Sequence, residues 1–558
     1  MSVHSDKKSA RQLSSLLKQQ NITDIVISPG SRNAPLIIEF TNQKEFNNYS
    51  IVDERSAAFF ALGMAQQKQK PVVLVCTSGS ALLNYYPAVA EAFYSRIPLI
   101  IASADRPQKW VDQGEGQTIR QHEVFKKHSY YNVTLDENST NKNEEIIYEA
   151  IKTAIEKKGP VHINMPFDEP LYNTTEKDKK EISTFPPIVS QDSIVAEEKL
   201  QELLKKWKNA GKIMILAGQL PPSEILSKQL QKLDEDQRLI ILTENISNQA
   251  NEKFVNHIDQ NIFLLDDHKL AEFKPDLLIT IGRNFISKKL KKFLRKHKPK
   301  QHWHIEQTDI VPDTFEALTE HINTSPEMFF SQLLFLIYDR MNPPGDYKKK
   351  WLDHKKLQRE KHTQFLQSAP YSDLKVFDFL SQNIPSGYMW QWGNSSSIRY
   401  AQFFDYPQKS THFSNRGTSG IDGSGSTAVG AAQLHTPTVF ITGDISFFYD
   451  SHALWNKYIP DNFKIILINN GGGDIFNFIP GPANTKALDE FFVTKHNLDA
   501  SHLSKMYKLD YTKVKNMDKL SAAFPSFLSK NKPQILEIDT REKKNHEVLK
   551  SYFDFLFQ

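Results

Sequence analysis

The segment VFITGDISFFYDSHALWNKYIPDNFKIILINNGGGDIF, residues 439–476, decides the fold. VFIT and KIILI are short apolar runs, and the stretch from Tyr449 to Tyr458 between them is compatible with a helix. Strand, crossover and strand in that order predict a parallel sheet covered by helices. Asp444 then lies just past the carboxyl end of one strand, and Asn469 and Asn470 just past the end of the next. Ligands of open parallel sheets bind in the crevice at those ends.

The same alternation runs outward from this segment. In residues 1–180, a helix over Ser9–Gln19 precedes DIVISPGS, a strand and turn, and SRNAPLIIEF, a helix with Ser31 as a possible cap. SIVDERSAAFFALGMAQQ is a short strand feeding a helix. PVVLVC, SALLNYYPAVAEAFYS, PLIIAS and VHINMP continue as strand, helix, strand and strand. The charged and then proline-containing run from Asn173 to Ser193 reads as a linker. KIMILAG, LIILTE, DLLITIG and HWHIEQ supply strands for a second unit, and YDRMNPPGDYKKK marks another boundary near Tyr338–Lys350. The expectation is an α/β chain of three doubly wound parallel-sheet domains, over 1–180, 190–340 and 350–558.

Composition narrows the class. A net charge of +4 on 558 residues gives no electrostatic footprint for nucleic acid or a membrane surface. The amino terminus is polar, with no apolar signal region, and no apolar run is long enough to span a bilayer. The one cysteine, Cys76, lies inside VVLVC, so no disulfide can form within the chain. A reducing cytosol is the expected setting.

Asp444 offers an anionic oxygen and Asn470 an amide oxygen, and the glycines after Asn470 leave backbone groups unshielded. Oxygen ligands beside open backbone suit Mg²⁺ bridging to a diphosphate. Taken singly, each is also an ordinary turn. Their spacing, from Asp444 to Asn470 at two strand ends, resembles the thiamine-diphosphate motif, although that motif normally begins GDG and here has Ile445 third. Two further stretches agree. Glu54 sits at a strand-to-helix junction, where the helix dipole alone would also favour it. FSNRGTSGIDGSGSTAVGAA, residues 413–432, is a glycine- and serine-rich loop that opens a helix and holds one bulky apolar residue, Ile421, which could equally pack locally.

Together these stretches resemble the thiamine-diphosphate-dependent decarboxylase superfamily. The resemblance implies a pyrimidine-binding first domain, a central domain without cofactor, and a diphosphate-binding last domain. It implies that Glu54 hydrogen-bonds the aminopyrimidine ring, with an apolar wall raising its pKa. Ile421 would wedge between the two cofactor rings, with Ser419 and Gly420 beside it. Asp444, Asn470 and the Gly472 carbonyl would hold Mg²⁺ or Mn²⁺. Sites shared between subunits imply at least a dimer, and a tetramer is equally open.

SPGSRNAPL, SADRP, GQTIRQ, GRNFISKKLKKFL, WGNSSSIRY and SNRGTSGIDG place Ser31, Arg32, Arg106, Gln117, Lys288, Ser395, Arg399 and Arg416 on expected strand ends and loops. A single arginine is usually a solvated surface charge. Several around one cofactor fit substrates with more than one carboxylate. The set is similar to the menaquinone-pathway branch of the superfamily, transferases in which GDI replaces GDG. That branch decarboxylates 2-oxoglutarate and adds the succinyl carbanion equivalent 1,4 to isochorismate. On this resemblance Ser395 and Arg399 anchor the four-carbon fragment, Arg32, Arg106, Gln117 and Lys288 hold isochorismate, and Ser31, Arg416 and Phe476 also contact substrate. Lys289 stands where the branch often has arginine and lacks its planar fork. An acetohydroxyacid synthase or another oxo-acid decarboxylase would explain the cofactor residues but not the basic set. A non-enzymatic α/β protein would not need Glu54, Asp444 and Asn470 together.

Overall fold

A computed structural model describes residues 3–136, 141–176, 182–189, 192–262, 267–337, 344–478 and 481–558. Its backbone forms three parallel sheets in chain order. The first runs Asn47–Ser50, Asp24–Ile27, Val72–Cys76, Leu99–Asp105, Val161–Pro166, Tyr131–Thr134 across its width. The last runs Thr411–Ser414, Met389–Trp392, Thr438–Gly443, Phe463–Asn469, Gln534–Asp539, Asp510–Val514. Counted along the chain, both have the order second, first, third, fourth, sixth, fifth. The central sheet runs Leu239–Thr243, Ile213–Ala217, Leu277–Ile281, Gln301–Ile305, Glu320–Ile322, which repeats the same beginning with five strands.

The central strands of each sheet are near-continuous apolar runs buried on both faces, as VVLVC and KIILI are. In every sheet the first and third strands are neighbours whose connections leave in opposite directions. A crevice opens there at the carboxyl ends. The loops and first helical turns that follow those ends carry most of the residues singled out above.

Several local expectations change. The crossover after Asp444 is a helix over Asp444–Tyr449 and a short turn over Ser451–Leu454, with no helix through Tyr458. The chain turns at Asp450 because its buried carboxylate accepts the Ser426 N–H at 2.7 Å and the Ser426 hydroxyl at 3.0 Å. SALLNYYPAVAEAFYS is two helices, Ser80–Asn84 and Tyr86–Ser95, with Pro87 in the first turn of the second. Ser31 does not cap the next helix: that position is Asn33, whose amide instead donates to the Ser28 carbonyl at 2.9 Å. Asn469 is the last residue of its strand. The strands Tyr131–Thr134 and Glu320–Ile322 have weak apolar patterns and were not anticipated. Thr174–Thr175, inside the expected linker, pairs antiparallel with His4–Ser5. Part of that linker (177–181 and 190–191) and part of the second expected boundary (338–343) lie outside the described residues. No helix among the described residues is long and apolar enough to cross a membrane.

The first and last domains meet where the helix Glu54–Lys68 crosses the helix Ser424–Ala431. A Cβ on Gly63 would fall 2.0 Å from the Thr427 carbonyl oxygen, and one on Gly430 would fall 2.0 Å from the Phe60 carbonyl oxygen. Only hydrogen fits at either position. Gly63→Ala should therefore destabilise the chain by ~1–3 kcal/mol, the cost of overpacking a fixed backbone contact. Gly211→Ala, whose added atom finds its nearest neighbour at 3.4 Å, is the control. Thermal unfolding of both variants checks this: the midpoint should fall for the first and hold for the second.

Candidate functional site

In the last domain the strands Thr438–Gly443 and Phe463–Asn469 are paired neighbours, so Asp444 and Asn470 leave adjacent strand ends. Asp444 is buried. Its Oδ2 accepts N–H groups from Gly471 at 2.7 Å and Gly472 at 3.0 Å, and its Oδ1 accepts from Ile445 at 2.7 Å. The loop can wrap the carboxylate this tightly because Gly471 and Gly472 have φ of +82° and +152°, and a Cβ on Gly472 would sit 2.5 Å from the Val493 carbonyl oxygen. Asn469 and Asn470 divide the work. Asn469 donates to Glu537 at 3.0 Å and to the Leu498 carbonyl at 2.9 Å, which fixes the loop base. Asn470 donates through Nδ2 to Asp373 at 3.0 Å, and its Oδ1 is buried with no partner. An orphaned amide oxygen beside a carboxylate fits a hard cation.

Two other carboxylates close on this crevice. Burial pushes Asp373 up to about 7, against hydrogen bonds from Thr540 and Asn470 and with the help of Asp474 and Asp444. Burial likewise raises Asp474, which accepts from the Asn477 amide at 2.7 Å. His496 Nδ1 accepts the Leu498 N–H at 3.1 Å, so in the neutral ring the proton is on Nε2, 3.4 Å from Asp444 Oδ2. No group of three or more His, Cys, Asp or Glu arranged to hold a metal occurs among the described residues. The set in question has one carboxylate, one amide and one backbone carbonyl, so it falls outside that description.

The loops after Met389–Trp392 and Thr411–Ser414 join at Asn394. Its amide donates to the Asn415 and Gly420 carbonyls, both at 2.7 Å, and its Oδ1 accepts from Arg416 Nη1 at 2.8 Å. Ser395 has φ of +69° and Ser419 has φ of +60°, uncommon for residues with a side chain. Arg399 Nη1 donates to the Ser395 carbonyl at 2.7 Å. Burial holds Arg399 and Arg416 below the usual guanidinium range, and Arg416 adds to the effect on Arg399. Neither guanidinium is within ion-pair distance of a carboxylate among the described residues, and Arg416 Nε is buried without a partner. Two adjacent half-buried cations with an open donor form an anion-binding arrangement.

The central domain adds to this cluster. Glu244, buried, accepts the N–H groups of Ile286 and Ser287 at 2.8 Å, which seats the helix Lys288–Lys296. Burial pushes Glu244 up to about 7 and Lys289 down to about 8. The Lys289 ammonium lies 4.4 Å from the centre of the Phe553 ring, while Lys288 is exposed. Ile421 is half-buried, and its carbonyl accepts the Ser446 hydroxyl at 2.8 Å. Phe476 lies on a short turn, its ring 5.6 Å from that of Phe492.

The first domain presents a separate group. Buried Arg32 donates to the Phe167 carbonyl at 3.0 Å and pairs with exposed Glu169 at 3.1 Å. Ser31 is exposed beside it. Arg106 Nε donates to the Gly116 carbonyl at 3.1 Å, and Gln117 is exposed with φ of +55°. Glu54 is the first residue of its helix, capped by Asp53, which accepts the Ser56 N–H at 3.0 Å. Burial raises the Glu54 carboxyl, and its charge acts on buried Cys76 and Tyr85 of the same domain. The neighbours of Glu54 thus come from the first domain and those of Asp444 from the last.

Glu91, Gln121, Asp373, Asn394 and His496 escaped the sequence reading. Glu91 accepts the Gly417 and Thr418 N–H groups at 2.7 Å and the Thr418 hydroxyl at 2.8 Å, tying the Arg416 loop to the first domain. A lone acid in the apolar helix YPAVAEAFYS was the available signal. Buried Gln121 accepts the Gly79 N–H at 2.8 Å and donates to Asn164 at 2.8 Å. Asp373 reads as any first-turn helix acid, and His496 has no local signal at all.

Comparison with known proteins agrees with this architecture. The model of the thiamine pyrophosphate enzyme N-terminal TPP binding domain matches residues 7–124, the middle-domain model 182–383, and the C-terminal TPP binding domain model 393–538. The 2-succinyl-5-enolpyruvyl-6-hydroxy-3-cyclohexene-1-carboxylate synthase of Flavobacterium psychrophilum is 47% identical over 98% of both chains. Those of Flavobacterium johnsoniae and Christiangramia forsetii are 46% and 44% identical, also over 98% of both chains. The chain belongs to the 2-succinyl-5-enolpyruvyl-6-hydroxy-3-cyclohexene-1-carboxylate synthase family of thiamine pyrophosphate enzymes.

Proposed function

We propose that this chain is a transferase of menaquinone biosynthesis that decarboxylates 2-oxoglutarate and adds the succinyl unit 1,4 to isochorismate. The observation that carries the substrate assignment is the half-buried pair Arg399 and Arg416, which makes no ion pair with a carboxylate among the described residues. A dicarboxylic oxo acid supplies the missing anion.

The residues present fit the cofactor. Asp444, the free Asn470 oxygen and the Gly472 carbonyl would hold Mg²⁺ or Mn²⁺ against a diphosphate. Thiamine diphosphate, when bound, supplies a cationic ring that takes up the electron pair released as a 2-oxo acid loses carbon dioxide. Glu54, half-buried with a raised pKa, would hold a proton for the aminopyrimidine ring. Ile421, Ser419 and Gly420 line the loop beside that ring. Arg399 and Ser395 bind the distal carboxylate of the four-carbon fragment, and Arg416 and Phe476 complete that wall. Ser31, Arg32, Arg106, Gln117 and Lys288 bind isochorismate. Holding both substrates together converts a bimolecular addition into an effectively intramolecular one. As the family resemblance implies, each complete site would combine the first domain of one subunit, with Glu54, and the last domain of another, with Asp444. A cytosolic setting suits the buried Cys76.

The direct test supplies the protein with thiamine diphosphate, Mg²⁺ and 2-oxoglutarate, then adds isochorismate. Its absorbance should fall only when all components are present, and persistence of isochorismate would refute the assignment. Arg399→Ala leaves the substrate carboxylate without its charge-assisted partner, a loss of about 2–5 kcal/mol. The kcat/KM for 2-oxoglutarate should fall at least roughly 30-fold, with thiamine diphosphate affinity by calorimetry unchanged. Glu54→Gln removes proton transfer but keeps a hydrogen bond, so the rate should fall about 10²–10⁴-fold. Mixing inactive Glu54→Gln with inactive Asp444→Ala under subunit exchange should restore part of the activity. Confirmed exchange without recovery would rule out a shared site.

A further inference from the structure

We propose that Asp373 is a positioning residue that turns the Asn470 amide so that its oxygen, and not its nitrogen, faces the metal. This rests on Asn470 being a metal ligand, as proposed above.

An asparagine amide presents an acceptor on one side and two donors on the other, and only the acceptor can bind a cation. Asn470 therefore needs a neighbour that selects one orientation. Asp373 is the acceptor that Asn470 Nδ2 reaches, at 3.0 Å to Oδ2. With the nitrogen held there, the oxygen points the other way, and it is this oxygen that is buried without a partner. The following residues, Gly471 and Gly472, donate to Asp444 Oδ2, so the amide stands on the loop that wraps the first metal ligand.

Asp373 is itself held at several points. Its Oδ1 accepts the Thr540 hydroxyl at 2.6 Å, and its own N–H donates to Asn545 Oδ1 at 2.8 Å. It opens the helix Asp373–Asn383, whose cap is the Ser372 side chain. The Thr540 N–H donates to the Asn469 carbonyl at 2.9 Å. Asn469, Asn470, Asp373 and Thr540 thus form a closed ring of hydrogen bonds across two adjacent strand ends. Thr540 donates to one Asp373 oxygen and Asn470 Nδ2 to the other, and this pairing fixes the polarity of the amide opposite it. Outer partners of this kind commonly change metal affinity about 10- to 100-fold.

The test is Mn²⁺ binding by the full chain with thiamine diphosphate present, followed by electron paramagnetic resonance, in a double-mutant cycle. Asp373→Ala should weaken Mn²⁺ affinity about 10- to 100-fold. Asn470→Ala should weaken it too, and Asp373→Ala in the Asn470→Ala background should add little. A carboxylate acting only by its charge would weaken Mn²⁺ equally in both backgrounds, and that result overturns the proposal. Unchanged affinity in Asp373→Ala alone also overturns it. Unchanged affinity in Asn470→Ala instead removes the metal assignment on which it rests. Should Asp373→Ala fail to fold, Thr540→Val serves in the same cycle: a loss confined to the background that retains Asn470 supports the proposal, and a loss of equal size in both, or none in either, overturns it.

Discussion

The crossing of the helices Glu54–Lys68 and Ser424–Ala431 is the constraint on which the rest of the molecule depends. Gly63 and Gly430 bring each helix against backbone carbonyls of the other, closer than any side chain permits. The first helix begins with Glu54, and the second follows directly on the loop of Ile421. One packing contact therefore sets where both segments proposed to face the cofactor start. Glu91 acts in parallel, since its buried carboxylate holds the Gly417–Thr418 backbone against the first domain. Asp450 adds a third fastening by capping the start of the second helix.

The electrostatics of the site follow from that scaffold. Holding two guanidiniums side by side, half-buried, is unfavourable unless an anion arrives. Asn394 holds Arg416 by one nitrogen, the Ser395 carbonyl holds Arg399, and Arg416 Nε stays without a partner among the described residues. Glu244 and Asp259 lie close enough to moderate the charge, yet Glu244 is occupied by the backbone of Ile286 and Ser287. The carboxylates at the other crevice show the converse. Asp444 and Asp474 raise the protonation tendency of Asp373, and Asp444 that of Asp474, where a cation would relieve them. Unpaired positive charge at one crevice and unpaired carboxylate at its neighbour match the proposal of an acidic substrate beside a metal-bound diphosphate.

Apolar runs of four to seven residues, spaced by helical stretches, specify parallel strands whatever their surroundings, because both sheet faces must be buried. The sequence by itself therefore determined the α/β class, all four of the named central-sheet strands, and the placement of Asp444 and Asn470 at neighbouring strand ends. Glu54 stands out by its place at a strand-to-helix junction, whereas Arg399 and Arg416 are marked by the resemblance of their motifs to a known family. The tertiary structure decided what local pattern cannot carry. The edge strands Tyr131–Thr134 and Glu320–Ile322 are amphipathic or short, so only pairing with a neighbour makes them strands. The crossover helix ends at Tyr449 because Asp450 is claimed by a segment more than twenty residues earlier in the chain. Asn33, not Ser31, took the start of its helix for a similar reason, a bond to Ser28. Asn469 and Asn470 are indistinguishable as letters, and their roles separate only because Glu537 reaches one and Asp373 the other. Contacts between residues far apart in the chain leave no periodic trace in it, and those contacts orient the side chains of the site.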